Sequence, residues 1–177
     1  WYAWVPLLAR HHRVLRMDLR GFGAATPMAR DFPWTLDLLV DDLRTVLDAL
    51  ALPRCHVVGA KVGANIGRAF AAAHPERLHT LTLAGTPPAF SPGGEQQLAA
   101  WNEGFEREGV APWARASMRS RLGSAFPEAG VQWWSDFMGR TAASTQIGFL
   151  DMVYRAPAFR AESIDRELAR ITCPTLV

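Results

Sequence analysis

The eleven residues VVGAKVGANIG, Val57–Gly67, constrain the fold more than any other stretch of the chain. An apolar, β-branched run leads into them and an alanine-rich helical pattern leaves them, which predicts a strand that turns sharply into a helix. The three glycines are spaced four residues apart. A dinucleotide-binding loop needs G-x-G-x-x-G, and a phosphate-binding loop needs lysine directly after its second glycine. The spacing therefore excludes both kinds of nucleotide site.

The pattern that remains is G-x-x-x-G with Lys61 at its centre. Gly59 and Gly63 match the two glycines of the nucleophile-elbow motif G-x-S-x-G, and Lys61 stands in the place of serine. The apex residue of such a turn is held in a strained backbone conformation, and glycines on either side let strand and helix approach closely. Lys61 is the only lysine among 19 basic residues, so a chance substitution would more readily have been arginine. We therefore interpret Lys61 as the central functional residue, at a half-buried apex.

Around this turn, strand-like and helical patterns alternate. Thr35 is a candidate N-cap for an amphipathic helix that continues to Leu50. Parallel strands joined by helices are the usual outcome of such alternation, which predicts an α/β fold with a doubly wound, mostly parallel sheet. The predicted strands are RVLRMD (13–18), CHVVGA (55–60), LHTLTLAGTPP (78–88) and a further strand from Cys173, and a helix is expected over residues 1–10.

Between the third and fourth of these strands the pattern becomes all-helical. We predict helices at 95–108, 112–122, 130–139 and 144–155, and divide the chain into a core at 1–88, a helical cap at 89–170, and the start of a further core strand at 171–177. Aromatic residues are concentrated in the cap. Such residues more often form core than contact ligands, but some are expected to face a substrate pocket. The candidates are Trp101, Trp133, Trp134, Phe137 and Tyr154.

Three stretches of the sequence together resemble the α/β-hydrolase family. HHRVLRMDLRGFGAAT and VDDLRTVLDALALPRCHVVGAKVGANIGRAFAAAHPERLHTLTLAGTPP resemble its fourth to sixth strands, and ITCPTLV resembles its seventh. The similarity is to the lactonase and esterase branch that includes 3-oxoadipate enol-lactonases. The resemblance implies that the oxyanion loop precedes Trp1 and that the catalytic acid and histidine follow Val177, so we expect a chain truncated at both ends. It also implies that the Val62 backbone N–H is an oxyanion donor and that no cofactor is needed.

Lys61 cannot replace serine in an acyl-enzyme cycle, because acylation of an amine gives a stable amide. Three roles stay open: a desolvated amine acting as Schiff-base nucleophile or general base, an ammonium that holds a carboxylate or developing enolate, or a binding residue in an inactive protein. Asp18 and Asp151 are candidate partners, although Asp18 fits a turn-stabilising role better. The five histidines do not follow predicted strands, so a structural role is expected for them.

The composition excludes some kinds of binding partner for this protein. The formal net charge of +2 is spread over separate arginines, which excludes a basic tract for nucleic acid, and no apolar run is long enough to span a membrane. Cys55 and Cys173 lie far apart without metal-ligand spacing, which indicates free thiols in a reducing, cytoplasmic compartment and no metal site. The resulting prediction is a hydrolase of small ester, lactone or related carbonyl substrates. The alternatives are an inactive binding or receptor module and a Schiff-base or proton-transfer lyase.

Overall fold

A computed structural model describes residues 1–86 and 94–177. Its sheet has three parallel strands in the order β1-β2-β3: β1 (Cys55–Ala60), β2 (Leu78–Ala84) and β3 (Thr175–Leu176). β1 is the strand that the sequence predicts, to the residue. β2 also begins as predicted but ends at Ala84, and residues 87 and 88 lie outside the described part of the chain. The α/β fold class with a parallel sheet is confirmed.

Eight α-helices are described. They are α1 (Val5–Leu8), α2 (Leu36–Ala49), α3 (Val62–Ala73), α4 (Gly94–Glu108), α5 (Ala111–Leu122), α6 (Glu128–Gly139), α7 (Ala143–Arg155) and α8 (Ala161–Leu168), with short 3₁₀ turns at Pro75–Arg77 and Pro157–Phe159. Thr35 caps α2 as predicted, because its Oγ1 accepts from the Leu38 N–H at 3.1 Å. The four helices predicted between residues 95 and 155 are present within two residues of their predicted bounds. The division into core and cap stays a prediction.

One face of the sheet carries the core. α3 packs on β1 and β2, and α2 and α8 pack on α3. Gly67 makes the close helix–strand approach, since a Cβ there would lie 3.2 Å from a Val57 methyl and 3.4 Å from a Leu81 methyl. The opposite face is open: His56 and Val58 of β1 are exposed. The largest fully buried apolar side chains of this core are Phe70, Phe159, Leu39, Leu78, Leu81 and Val153.

The helical segment after β2 is fixed to the core through α7. Met28 lies in the loop before α2, and its N–H donates to Thr145 Oγ1 at 2.8 Å. The Ser144 hydroxyl donates to the Met28 carbonyl at 2.7 Å. Phe149 then packs edge-on against Phe22 with ring centroids 4.8 Å apart. These contacts hold α7 against the loop that precedes α2.

Two sequence predictions are wrong. Residues 13–18 form no strand, and only Val5–Leu8 of the helix expected over residues 1–10 is α-helical. Alternation of apolar and polar residues predicts which side chains are buried, but a strand exists only when a neighbouring backbone accepts its hydrogen bonds. Within the described residues β1 pairs only with β2, and no described strand pairs with residues 13–18.

Candidate active site

The turn between β1 and α3 has the strained geometry of an elbow. Lys61 adopts φ 55° and ψ −123°, a region that a residue with a side chain rarely occupies. Its N–H donates to the Ala84 carbonyl at 3.1 Å, which ties the apex to the end of the neighbouring strand. Its carbonyl accepts from the Ala64 N–H at 3.0 Å and so begins the helix. The apex is thus fixed by the backbone of two parallel strands and one helix.

The two glycines that flank the apex do different things. A Cβ at Gly59 would lie 2.7 Å from Ala64 Cα and closer still to the Gly63 carbonyl oxygen, so only glycine lets α3 begin where it does. A Cβ at Gly63 would meet nothing within 4 Å among the described residues. The close approach that the sequence suggests for both glycines is therefore confirmed at Gly59 and is not seen at Gly63.

The first turn of α3 presents unsatisfied donors at the apex. The Lys61 side chain makes no capping hydrogen bond. Within residues 1–86 and 94–177, the N–H groups of Val62 and Gly63 have no hydrogen-bond acceptor. The first N–H groups of a helix carry partial positive charge and bind anions. The Val62 N–H, which the resemblance implies as oxyanion donor, is therefore open within the described residues, and its role stays a prediction.

The Lys61 side chain is exposed, so the prediction of a half-buried position is wrong. Its amine lies beside Gly85, where an added Cβ would lie 3.8 Å from Nζ. Beside Gly85, the Thr86 Oγ1 is buried and has no hydrogen-bond partner in the described structure. Sequence reasoning missed Gly85 and Thr86; the only signal was their place directly after a strand that neighbours the elbow.

Neither candidate acidic partner of Lys61 pairs with it. The Asp18 Oδ2 accepts from the Ala24 N–H at 2.9 Å, which confirms its turn-stabilising role. Asp151 accepts from Asn102 Nδ2 at 3.0 Å, and Arg30 lies 3.6 Å from its other oxygen. Within the described ranges no carboxylate forms an ion pair with Lys61. Asp151 instead holds α7, α4 and the loop before α2 together.

The histidines are remote from the elbow. His56 and His79 are the second residues of β1 and β2, and with His12 they form a row of rings with centroids 5.7 and 5.2 Å apart. Five residues of strand separate His56 from Lys61, about 16 Å. His74 ends α3 and is separated from the apex by that helix, about 18 Å long. His11 lies in the turn after α1, where its N–H donates to the Leu8 carbonyl.

The candidate pocket aromatics fall into two groups. Trp101 and Tyr154 pack together with centroids 6.1 Å apart. The α6 residues Trp133, Trp134 and Phe137 form a second group, in which the Trp133 and Phe137 rings are stacked at 5.4 Å, and Tyr2 packs against both tryptophans. No ring contact joins the two groups within the described residues. A substrate contact stays a prediction for each of these five residues.

The described residues contain neither a metal-binding cluster nor a membrane-spanning helix. The described residues hold no cluster of three or more His, Cys, Asp or Glu side chains that could bind a metal ion. None of the described helices has both the length and the apolar character needed to cross a bilayer. Cys55 and Cys173 are both free thiols.

Comparison with known proteins identifies the fold family. The family model described as alpha/beta hydrolase fold matches residues 1–147. The chain is 30% identical over 128 residues to the pimeloyl-(acyl-carrier protein) methyl ester esterase of Aeromonas hydrophila, covering 72% of this chain and 44% of that protein. It is 37% identical over 101 residues to the 2-hydroxymuconate semialdehyde hydrolase of a Pseudomonas species, covering 57% of this chain and 35% of that protein.

A solved structure shows the same fold. The enol-lactonase from Burkholderia xenovorans matches with a TM-score of 0.77 at 23% identity, covering 97% of this chain and 63% of that one. The chain thus spans less than half the length of the two curated relatives above. The family model covers most of the sequence, and the fold is shared with a solved structure. The chain therefore belongs to the α/β-hydrolase fold family.

Proposed function

We propose that the protein hydrolyses small ester, lactone or related carbonyl substrates at the elbow, with Lys61 as a cationic group and the Val62 N–H as oxyanion donor. The observation that carries this proposal is the retained apex: φ 55° at Lys61, directly before two open helix N–H groups. The names of similar proteins, an esterase, a semialdehyde hydrolase and an enol-lactonase, support the same class of small-molecule substrate.

Because an acylated lysine would be a stable amide, the nucleophile in this proposal is water. The water oxygen attacks the carbonyl carbon, the bond to the leaving alkoxide or enolate breaks, and that leaving group takes up a proton released by the water, so that the products are an acid and an alcohol or ketone. The Lys61 ammonium and the Val62 N–H would stabilise the oxyanion that forms in between. Schiff-base or general-base action needs an amine withdrawn from water. The exposure of the Lys61 side chain therefore favours the cationic role over both of those.

A second candidate, an inactive binding protein, is favoured by two observations on the described residues. The described histidines flanking the sheet lie about 16 Å or more from the apex, and no described carboxylate pairs with Lys61. In that case Lys61 and the helix N-terminus would hold the carboxylate of a small acid without turnover.

Three variants at the apex test the proposal. Lys61→Met is expected to lower kcat on 4-nitrophenyl esters and enol-lactones by about 10²- to 10³-fold, the usual cost of losing one oxyanion-stabilising group. Lys61→Arg keeps the positive charge and should retain part of the rate. Lys61→Ser asks whether a histidine and an acid elsewhere in the protein complete a triad, since esterase activity would then rise. Equal rates for the protein and Lys61→Met would refute the proposed role.

Two binding readouts separate the remaining candidates. An inactive binding protein would turn over no substrate yet show a thermal shift with a small carboxylic acid. A lyase would form a Schiff base, so borohydride treatment with carbonyl compounds would leave an adduct on Lys61; we expect none. The free thiols Cys55 and Cys173 support a reducing compartment, and we propose a cytoplasmic location.

A further inference from the structure

Thr86 is the second residue after β2 and lies beside the elbow. β1 and β2 pair in register up to Ala60 and Ala84, and the residues that follow them, Lys61 and Gly85, also lie side by side. A Cβ added at Gly85 would lie 3.8, 3.9 and 4.0 Å from Nζ, Cε and Cδ of Lys61, so the lysine side chain runs across this glycine. Because consecutive Cα atoms are about 3.8 Å apart, the Thr86 Cα lies within about 9 Å of Nζ.

The Thr86 hydroxyl is buried without a partner. Its Oγ1 is shielded from bulk water and has no hydrogen-bond partner within residues 1–86 and 94–177. Buried polar atoms are almost always hydrogen-bonded, and a buried atom that is left unpaired lowers the stability of the folded state. Valine has nearly the shape of threonine and would avoid this cost. A hydroxyl here is therefore unfavourable for folding, as is typical of polar groups that serve a function.

The open polar groups of the apex itself can only donate hydrogen bonds. They are the Lys61 ammonium and the N–H groups of Val62 and Gly63. The Ala84 carbonyl already accepts from the Lys61 N–H at 3.1 Å. A water molecule that attacks a carbonyl carbon must point a lone pair at that carbon, so a group that accepts its O–H orients it best. The Thr86 Oγ1 has two lone pairs and adds such an acceptor beside these donors.

From this arrangement we infer that Thr86 orients the water that attacks the substrate. The inference rests on the proposed function, because it names the residue that positions the nucleophile of that hydrolysis. The water O–H donates to the Thr86 Oγ1 while a lone pair of the water faces the carbonyl carbon, and the Lys61 ammonium and the Val62 N–H bind the carbonyl oxygen. The proton that the water releases goes to the leaving group, and Thr86 keeps its own proton.

The distances and the side chain of Thr86 allow this role. Two hydrogen bonds, one C–O bond and an attack distance of about 3 Å together span up to about 10 Å, which fits the separation of Thr86 from the Lys61 Nζ. Rotation about χ1 exchanges the hydroxyl and the methyl group of threonine. Because Thr86 as a whole is half-buried, such a rotation can turn its hydroxyl to the water.

Substitutions of Thr86 test the inference through rate and stability together. Thr86→Val should lower kcat on 4-nitrophenyl esters by about 10-fold, the usual effect of one hydrogen bond, and leave KM unchanged. Because it removes an unpaired buried hydroxyl, the same variant should raise the melting temperature by about 2–4 °C. Thr86→Ser keeps the hydroxyl and should keep the rate. Thr82→Val is the matched control, since Thr82 is a half-buried residue of β2 four positions before Thr86, and its kcat should equal that of the parent.

A slower and more stable Thr86→Val protein would distinguish a hydroxyl that orients water from one that only supports the fold. A variant that is both slower and less stable would show that the hydroxyl has a structural partner and would overturn the inference. An unchanged kcat, or an equal loss of kcat in Thr82→Val, would overturn it as well. These outcomes leave the hydrolysis itself standing. A parent protein that cleaves no ester, or that is as fast as Lys61→Met, would instead refute the proposed function and this inference with it.

Discussion

The two elbow glycines give the sharpest test of the fold, because the structure predicts opposite signs for the same substitution. In Gly59→Ala the new methyl would lie 2.7 Å from Ala64 Cα, about 1 Å inside an ordinary carbon–carbon contact. The atoms it meets belong to the backbone of α3 and cannot rotate away. In Gly63→Ala the methyl meets nothing within 4 Å among the described residues.

The magnitudes follow from these contacts. Overpacking costs about 1–3 kcal/mol when side chains can yield, so a clash with helix backbone at Gly59 should lower the free energy of unfolding by about 3 kcal/mol. Alanine is favoured over glycine in a helix by about 0.5–1 kcal/mol, so Gly63→Ala should raise stability by that amount. Urea unfolding followed by circular dichroism measures both. Equal effects of the two substitutions, or a Gly59→Ala protein as stable as the parent, would refute the assigned approach of strand and helix.

Three further substitutions test other parts of the structure. Lys61→Gly should raise the free energy of unfolding by about 1 kcal/mol, because glycine adopts a φ of 55° without strain. Ala51→Gly, at φ 53°, is the control for strain relief away from the site. A loss of stability in Lys61→Gly alone would contradict this explanation. Glu167→Gln should cost about 3 kcal/mol, because it leaves the Arg68 guanidinium buried without the carboxylate 2.8 Å from its Nε; the double variant Arg68→Met/Glu167→Leu should recover most of that loss in the same urea assay. Burial raises the pKa of the Cys55 thiol above its ordinary 9.0, so the folded state keeps this proton longer than the unfolded state does. The contribution to stability is full below pH 9.0 and is lost as the pH rises above it, and Cys55→Ala should flatten that part of the pH–stability profile.

The parts of the fold that were predictable from sequence are those that local signals determine. β1 is bounded by a polar residue and the elbow, and its apolar run gives its limits directly. Thr35 caps α2 through a side chain three residues from its partner. The four helices of the segment after β2 follow from apolar spacing and from the Gly and Pro residues between them. In each of these cases the information lies within a dozen residues.

The parts that failed depend on distant neighbours. The strand expected at 13–18 has the right alternation but lacks a pairing partner in the described structure. Lys61 is exposed beside Gly85, which lies 24 positions further along the chain, and neither its exposure nor this neighbour is visible in the local pattern. Arg68 and Glu167 are 99 residues apart, and nothing in the sequence around either one indicates that they form a buried pair. Tertiary packing also separates the aromatic residues into two groups that composition alone had joined.

The geometry of the apex and the chemistry of the apex are set by different residues. The bond from the Lys61 N–H to the Ala84 carbonyl, the steric requirement at Gly59 and the start of α3 hold the backbone whatever side chain stands at 61. A likeness of fold therefore leaves the nature of the group at position 61 to be judged from the side chain itself. Serine at this point would attack a carbonyl, whereas an exposed amine is suited to holding a negative charge. In the function that we propose, position 61 lies beside the reacting carbon and its lysine stabilises charge there, and for that reason we propose water as the nucleophile.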